Sequence, residues 1–282
     1  MNIQTLTGKT RIAGIFGWPV DHSRSPRLHG YWLQQFKIDG AYIPFATHPS
    51  KLEQGIRALP SLGFRGGNIT LPHKERALGF VDDLTPVAKR IGAINMLVVR
   101  EDGTILGDNS DGFGFIANLQ QVQPTWRGAS GPAVLLGAGG AARAIVVSLL
   151  DAGVPEIRLI NRTTRRAEEI AAAVGGPITV LPWDARAGAL KDAALLVNGT
   201  TLGMAGQAPL DLDLAQLPTS AVVYDIVYVP LQTDLLKAAQ ARGNKTVDGV
   251  GMLLHQGRPG FKAWFGADAQ VTPELRAFVL GQ

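Results

Sequence analysis

A glycine-rich turn between a predicted strand and a predicted helix constrains the fold of this chain more than any other feature. Residues 134–136 are typical of a buried strand, and residues 141–150 of an apolar helix that packs against it. The turn between them fits the dinucleotide-binding pattern G-x-G-x-x-G/A, with Ala142 in the third place. Phosphate can approach a backbone that carries no side chains, and the helix N-terminus offers it free N–H groups. The turn alone fits a plain strand-to-helix connection equally well, so the prediction that a dinucleotide binds at Gly137, Ala138, Gly139, Gly140 and Ala141 depends on the residues after the next strand.

The residues after the next predicted strand indicate which dinucleotide binds. An NAD site usually has Asp or Glu there, which accepts a hydrogen bond from the ribose 2′-hydroxyl. This chain instead has Asn161, Arg162 and Thr163, followed by Arg166. A carboxylate would repel a 2′-phosphate, whereas Arg162 and Arg166 can flank one with planar, bidentate donors. The alternative is a solvated basic helix start, but cations in a first helical turn oppose the helix dipole, so the pattern favours NADP.

The later part of the chain predicts a parallel sheet. Predicted strands over 156–160, 193–198 and 221–226 alternate with helices, and polar residues follow the last two, where open α/β sheets bind ligands. The predicted fold class is α/β, with an N-terminal α/β substrate domain and a doubly wound, Rossmann-type parallel-sheet NADP domain. Pro, Gly and Trp in residues 121–131 indicate the boundary. Residues 1–120 are therefore expected to form the substrate domain, completed by C-terminal helices in 250–282, and residues 121–249 the NADP domain.

Composition and charge argue against several classes of protein. The chain has no cysteine, which excludes disulfides and thiolate metal sites and is typical of a reducing cytoplasm. We see no signal peptide and no apolar run near the ~20 residues that span a bilayer, so we expect a cytoplasmic protein without membrane contact. The five histidines lack zinc-motif spacing, and we expect no metal. Apart from 162–166 the basic residues are scattered, so we expect no nucleic-acid partner. We expect the protein to be a monomer or a homodimer.

Two serines near a predicted helix start are candidates for anion binding. Ser25 and Pro26 favour a helix beginning there, with the Ser25 hydroxyl as N-cap and proline in the first turn. Capping explains Ser25 but not Ser23. Two hydroxyls beside a helix N-terminus can bind a small carboxylate. The spacing alone leaves two readings equally open, capping only and capping plus substrate binding.

Lys74 is a candidate functional charge. It follows Pro72, which we predict to be the first residue of another helix. The helix dipole disfavours a lysine in a first turn, so its presence suggests a role. The alternative is a surface lysine whose stem lies along the protein. In the preceding predicted strand, Asn68 and Thr70 are two residues apart and therefore share one face.

Two further polar residues stand in apolar surroundings. Asn95 lies within 91–99, which reads as a strand; a buried amide there either ties the backbone together or contacts a polar ligand. Asp111 opens a predicted helix, where it is either an N-cap or a functional carboxylate.

The chain as a whole resembles the shikimate dehydrogenase family over nearly its full length. The matching segments, in order, are HSRSP (22–26), NITLPHK (68–74), GAIN (92–95), GDNSDG (107–112), GAGGAA (137–142), NRT (161–163), DIVYVP (225–230) and GVGMLLHQ (249–256). Eight motifs in the same order are far more specific than any one of them. The resemblance implies the reversible, NADP-dependent reduction of 3-dehydroshikimate to shikimate in aromatic biosynthesis, with substrate and cofactor meeting in a cleft between the domains.

The same resemblance implies a role for individual residues. Ser23, Ser25 and Tyr228 would hold the substrate carboxylate. Asn68, Thr70, Asn95, Asp111 and Gln256 would surround the ring and its hydroxyls. Lys74 and Asp111 match the catalytic pair, and Ile226 and Gly249 the cofactor-binding segments. The chain departs from the family pattern at Gly30, Met96 and Ser110, which leaves the implied chemistry intact and concerns only fine substrate contacts.

Two rival functions remain open. One is a quinate/shikimate dehydrogenase with relaxed cofactor use, against which stand the two arginines and serine, rather than a bulkier threonine, at position 25. The other is a non-catalytic NADP-binding sensor on the same fold. Lys74 and Asp111 argue against a sensor, because binding alone needs neither.

Overall fold

The computed structural model describes residues 6–282, which divide into two compact units. The first unit comprises residues 6–110 together with Leu253–Gln282, and the second comprises Asp111–Met252. The helix that begins at Asp111 therefore belongs to the second unit, whereas the sequence pattern assigns it to the first domain. Its packing explains why. A Cβ placed on Gly112 would lie 3.1 Å from the carbonyl oxygen of Ala144, and the Phe115 ring stacks on Tyr224 at 4.6 Å.

The described residues form strands and α-helices whose bounds are as follows. The strands are β1 (Arg11–Gly17), β2 (Gly40–Ala46), β3 (Phe64–Ile69), β4 (Asp83–Leu84), β5 (Met96–Val99), β6 (Ile105–Asp108), β7 (Ala133–Leu136), β8 (Ile157–Ile160), β9 (Ile178–Leu181), β10 (Leu195–Asn198), β11 (Val222–Asp225) and β12 (Lys245–Val247). The α-helices are α1 (Ser25–Gln35), α2 (Leu52–Ala58), α3 (Pro86–Ile91), α4 (Asp111–Val122), α5 (Gly140–Asp151), α6 (Thr164–Val174), α7 (Asp234–Ala241), α8 (Gly249–Phe265) and α9 (Pro273–Leu280).

The sheet of the first unit is mixed. Its strand order is β2-β1-β3-β5-β6-β4. β1 pairs in parallel with β2 and β3, whereas β5 is antiparallel to both of its neighbours. The expected strand over 91–99 is shorter than predicted, because Ile91 ends α3 and Gly92 caps that helix in a left-handed conformation with φ of 69°. The chain then turns into β5, which begins at Met96.

The C-terminal part of the chain completes the core of the first unit. Trp264, near the end of α8, is buried and donates a hydrogen bond from its indole Nε1 to the carbonyl oxygen of Leu97, at 2.8 Å. Phe261 packs against Trp32 of α1 with ring centroids 5.2 Å apart. The first unit is thus built from two stretches of chain that are separated in sequence by the whole second unit.

The second unit contains a doubly wound parallel sheet, as predicted. Its strand order is β12-β11-β10-β7-β8-β9, and each neighbouring pair is parallel. This is the order of dinucleotide-binding folds, with the topological switch between β7 and β10. Side chains of β7 alternate between the two faces: Leu135 packs in one apolar cluster, and Val134 and Leu136 pack in the other. The central strands β7, β10 and β11 are completely buried, as expected where helices cover both faces.

Candidate active site

The glycine-rich turn lies at the switch point of the second sheet. Gly137 has φ of 112°, and a Cβ at this position would lie 2.8 Å from the carbonyl oxygen of Gly199. Residues with a side chain rarely adopt this φ, and a Cβ would come too close to Gly199, so both facts require glycine. Gly139 precedes α5, no side chain caps that helix, and a Cβ on Gly139 would meet nothing within 4 Å. Backbone N–H groups therefore border open space at a positive helix end, which fits a pyrophosphate. Ala142 is fully buried in the core.

A cavity of about 400 Å³ lies beside this turn within the second unit. It is lined by Asn161, Arg162, Trp183, Arg186, Thr200, Thr201, Leu202, Pro209 and Asp211. The predicted phosphate-binding residue Arg162 is therefore a wall of the cavity, while Arg166, in the first turn of α6, is exposed and outside this lining. Asn161 donates a hydrogen bond from Nδ2 to the carbonyl oxygen of Thr163, which shapes the turn before α6. A basic, partly enclosed cavity suits the nucleotide end of NADP.

Two loops at the carboxyl edge of the second sheet are tied together by a buried carboxylate. Asp225 accepts hydrogen bonds from Asn198 Nδ2 and the Val227 backbone N–H, both at 3.0 Å, and from the Thr233 hydroxyl at 2.7 Å. The Asn198 side-chain oxygen accepts in turn from the Thr200 hydroxyl at 2.7 Å. Burial without a cationic partner among these bonds raises the pKa of Asp225 to about 6, and its hydrogen-bond donors oppose that rise.

The segment held by Asp225 contains two predicted site residues. Ile226 and Tyr228 follow the strand end and are half-buried. Gly249, the first residue of α8, packs so closely on this segment that a Cβ there would lie 2.2 Å from the carbonyl oxygen of Ile226. The structure thus brings Ile226 and Gly249 together in the second unit.

The two serines of the first unit lie as neighbours, but the predicted cap at Ser25 is wrong. Helix α1 begins at Ser25 itself, its N-cap residue is Arg24, and no side chain caps it. Instead, the Ser25 backbone N–H donates to Oγ of Ser23 at 3.3 Å, and the Ser25 side chain is buried. The Ser25 side chain hydrogen-bonds Tyr42 instead of capping the helix. Carboxylate binding remains the interpretation that uses both serines.

Three predicted substrate residues form one buried hydrogen-bonded network. Asn68 donates from Nδ2 to the carbonyl oxygen of Asn95 at 3.0 Å, and Asn95 donates from its own Nδ2 to Oε1 of Gln256 at 3.2 Å. Ser110 joins both neighbours, because its N–H donates to Asn95 Oδ1 at 2.8 Å and its hydroxyl to the Gln256 carbonyl at 2.8 Å. The amides of Asn68 in β3, Asn95 just before β5 and Gln256 in α8 are thereby held in fixed orientations.

Lys74 does not lie in the first turn of a helix, so that prediction is wrong. The Leu71–Pro72 peptide bond is cis, residues 71–75 form turns, and a 3₁₀ helix begins only at Arg76. The dipole argument for Lys74 therefore has no helix to act through. Its carbonyl oxygen accepts from the Ile94 N–H at 2.8 Å, which joins this turn to the segment before Asn95. Thr70 lies at the start of the turn and is half-buried.

Asp111 is the first residue of α4 and is 4% exposed. It belongs to the second unit, whereas Lys74 belongs to the first. A carboxylate so strongly buried is unusual unless it is paired or has a function. The position fits both the helix dipole, which stabilises an anion in a first turn, and a functional role.

Several residues of these clusters were missed by sequence reasoning. Tyr42 donates a 2.6 Å hydrogen bond to Asn68, and Trp183 and Arg186 line the cavity, with the guanidinium 5.1 Å from the Trp183 ring centroid. Ser110 was noted only as a departure from the family pattern. None of these positions carries a local motif. A polar residue in an otherwise apolar strand is the one available signal, and it would have selected Tyr42 only weakly.

Other site types are not found within residues 6–282. Over that range, no three His, Cys, Asp or Glu side chains come together in an arrangement that can hold a metal ion. No helix in the same range combines the length and apolar character needed to cross a membrane.

A glycine-rich dinucleotide turn and an arginine-lined cavity in the second unit are features of an NADP-dependent oxidoreductase. The chain is 63% identical to a shikimate dehydrogenase (NADP(+)) of Paramagnetospirillum magneticum, over 98% of this chain and 100% of the relative. It belongs to the shikimate dehydrogenase (NADP(+)) family.

Family models and solved structures agree with this assignment. Residues 15–97 match the shikimate dehydrogenase substrate binding domain, and residues 121–203 match the shikimate / quinate 5-dehydrogenase model. A Thermus thermophilus shikimate 5-dehydrogenase in complex with NADP(H) and shikimate is 33% identical, with a TM-score of 0.85 over 96% of this chain and 99% of that one. A Corynebacterium glutamicum quinate dehydrogenase in complex with NAD is 29% identical, with a TM-score of 0.88 over 97% and 99%.

Proposed function

We propose that this chain catalyses the reversible, NADP-dependent reduction of 3-dehydroshikimate to shikimate with Lys74 and Asp111 as its catalytic pair. The observation that carries this proposal is the network that joins Asn68, Asn95 and Gln256. These amides are buried and fixed by one another, as a site for a small polyhydroxylated ring requires.

The substrate is bound by complementary polar groups. Ser23, Ser25 and Tyr228 hold the carboxylate through hydroxyl donors. The ring hydroxyls contact Asn68, Thr70, Asn95 and Gln256, whose amides each offer both donors and acceptors. Because the network fixes each amide before substrate binds, little conformational entropy is lost on binding.

The chemistry needs a cation and a proton donor at one oxygen. When bound, NADPH supplies a hydride to the ketone carbon. The Lys74 ammonium stabilises the negative charge that develops on the ketone oxygen and delivers a proton to it. Asp111 is the second member of the proposed catalytic pair. In the reverse direction Lys74 accepts the proton from the shikimate hydroxyl.

The residues that hold NADP lie in the second unit. Backbone N–H groups of Gly137, Ala138, Gly139, Gly140 and Ala141 contact the pyrophosphate. Asn161, Arg162, Thr163 and Arg166 contact the 2′-phosphate and its ribose. Ile226 and Gly249 border the nicotinamide end. In this assignment the first unit is the substrate domain and the second the NADP domain.

We also propose that the protein works in the cytoplasm as a monomer or homodimer, without a nucleic-acid partner. A chain without cysteine suits a reducing compartment, and its basic residues are scattered apart from those proposed to bind phosphate.

Absorbance of NADPH during incubation with 3-dehydroshikimate tests the proposal. We expect turnover with NADPH, slower turnover with NADH, and oxidation of shikimate in preference to quinate. Equal use of NADH or quinate would favour the relaxed quinate/shikimate enzyme. NADP binding without any turnover would favour a sensor and contradict the proposal.

A further inference from the structure

Tyr42 makes a buried contact that assigns the orientation of Asn68. Its hydroxyl lies 2.6 Å from Oδ1 of Asn68, and Nδ2 of Asn68 lies 3.0 Å from the carbonyl oxygen of Asn95. A carbonyl oxygen only accepts hydrogen bonds, so the Asn68 nitrogen must face it. The Asn68 oxygen must then face Tyr42, and the phenol must donate its one proton to it.

The Tyr42 ring is held as firmly as its hydroxyl. His29 is fully buried and stacks on it with ring centroids 4.0 Å apart and planes 14° from parallel. Burial lowers the pKa of His29 to about 3, so the imidazole stays neutral. Trp264 lies against another part of the ring, with centroids 5.9 Å apart. The phenol therefore has one position, and its donated bond is directed at one atom.

An amide that keeps one orientation presents one pattern to a ligand. With the Asn95 carbonyl oxygen, Tyr42 and His29 all engaged, Asn68 retains one N–H at a defined place. Without the Tyr42 hydroxyl, its Oδ1 would lose its 2.6 Å donor, and the amide would be held by the bond to the Asn95 carbonyl oxygen and by its interaction with the His29 side chain. The amide would then twist or exchange its oxygen and nitrogen positions.

We propose that Tyr42 is a positioning residue that fixes which atoms of the Asn68 amide face the substrate. This inference rests on the proposed function, in which Asn68 contacts the substrate ring. In this proposal Tyr42 acts on the substrate through Asn68. Its side chain also hydrogen-bonds that of Ser25, and the cycle with Asn68→Ala described below separates the two routes.

The test compares Tyr42→Phe with Tyr224→Phe. Both remove a buried phenol hydroxyl; that of Tyr224, in the second unit, accepts from Asn118 Nδ2 at 2.7 Å. Losing one buried hydrogen bond is expected to raise the KM for shikimate roughly 3- to 10-fold in Tyr42→Phe, with KM for NADP⁺ changed less than about two-fold. Tyr224→Phe is expected to lower the melting temperature without raising the KM for shikimate.

A double-mutant cycle with Asn68→Ala tests whether Tyr42 acts through the Asn68 amide or through the packing of the unit as a whole. If Tyr42 acts through Asn68, Tyr42→Phe has little further effect on shikimate affinity once Asn68 is alanine. A purely structural role predicts additive losses. Incorporating 3-fluorotyrosine at position 42, which keeps the hydroxyl, is expected to keep the KM for shikimate near that of the unsubstituted enzyme.

Two results would overturn the inference: an unchanged KM for shikimate in folded Tyr42→Phe, or additive losses in the cycle. The unsubstituted enzyme is assayed first. Absence of turnover and of shikimate binding there would reject the proposed function itself, whereas an active enzyme with a silent Tyr42→Phe would reject only the role of Tyr42.

Discussion

The two units build their binding residues in opposite ways. In the second unit the proposed pyrophosphate contacts come from the backbone of a single turn. The two arginines proposed to contact the 2′-phosphate have exposed side chains. In the first unit the proposed ring contacts are buried side chains from β3, the residue just before β5, and α8, which are joined by hydrogen bonds across long sequence separations. The proposed pyrophosphate site is therefore local in sequence, whereas the proposed substrate site is made of distant residues that depend on one another.

The first prediction separates chemistry from binding. Lys74→Ala is expected to lower kcat by about 10²- to 10⁴-fold, because positioned acid catalysis is typically worth that much. The dissociation constants for shikimate and NADP⁺ should change far less. Steady-state kinetics and calorimetric titration measure both, with Lys51→Ala, an exposed lysine of the same unit, as the control. Normal turnover in Lys74→Ala would end its catalytic assignment.

The second prediction concerns the buried charge of the second unit. Because the pKa of Asp225 is raised to about 6, the folded state binds its proton more tightly than the unfolded chain, whose Asp pKa is about 3.9. The stability associated with that proton is complete below pH ~3.9 and is lost as pH rises through about 6. Asp225→Asn removes this loss and is expected to be more stable than the unsubstituted protein at pH 8, by at most about 3 kcal/mol.

Chemical denaturation at pH 4 and at pH 8 measures this effect, and the stability difference should fade at the lower pH. Asparagine can keep the geometry, since its oxygen can accept from Asn198 and Val227 and its NH₂ can donate to Thr233. The control is Asp234→Asn, since that carboxylate is exposed and pairs with Lys237 only at the surface. An advantage of Asp225→Asn that did not change with pH would contradict the assigned cause.

The third prediction tests whether the arginines act on the cofactor alone. Arg162→Ala and Arg166→Ala are each expected to weaken NADP⁺ binding about 10- to 100-fold, as loss of a charge-assisted hydrogen bond would, while NAD⁺ binding changes little. The KM for shikimate should stay constant. Arg165→Ala is the matched control, because this exposed arginine already pairs with Glu169 at 3.0 Å. Equal losses for NADP⁺ and NAD⁺ would exclude recognition of the 2′-phosphate.

The smallest expected effect is that of Gly139→Ala. A Cβ at this position meets nothing in the protein, so the melting temperature should not change. It would stand where we propose that the pyrophosphate approaches, and NADP⁺ affinity should fall roughly 3- to 10-fold. A fall in the melting temperature with unchanged NADP⁺ affinity would mean that Gly139 serves the fold rather than the cofactor.

The same contrast explains what the sequence could predict. The turn at Gly137 was predictable because steric rules within a few residues determine it, and the parallel sheet around it followed from alternating strands and helices. The cap at Ser25 and the helix at Pro72 were predicted wrongly, because tertiary contacts overrode local preferences. Tyr42 had only a weak signal, a polar group in an apolar strand, since its partner lies 26 residues away and no short pattern records their contact.

The discontinuous first unit sets an order of events during synthesis. All residues of the second unit leave the ribosome before Trp264 does, so that unit can complete its sheet while the first still lacks α8 and α9. Until then the indole that caps the Leu97 carbonyl is missing, and Trp32 lacks Phe261 against it. A nascent chain at that stage contains a complete second unit and a first unit whose apolar surface is still exposed. In such a state aggregation or chaperone binding competes with folding.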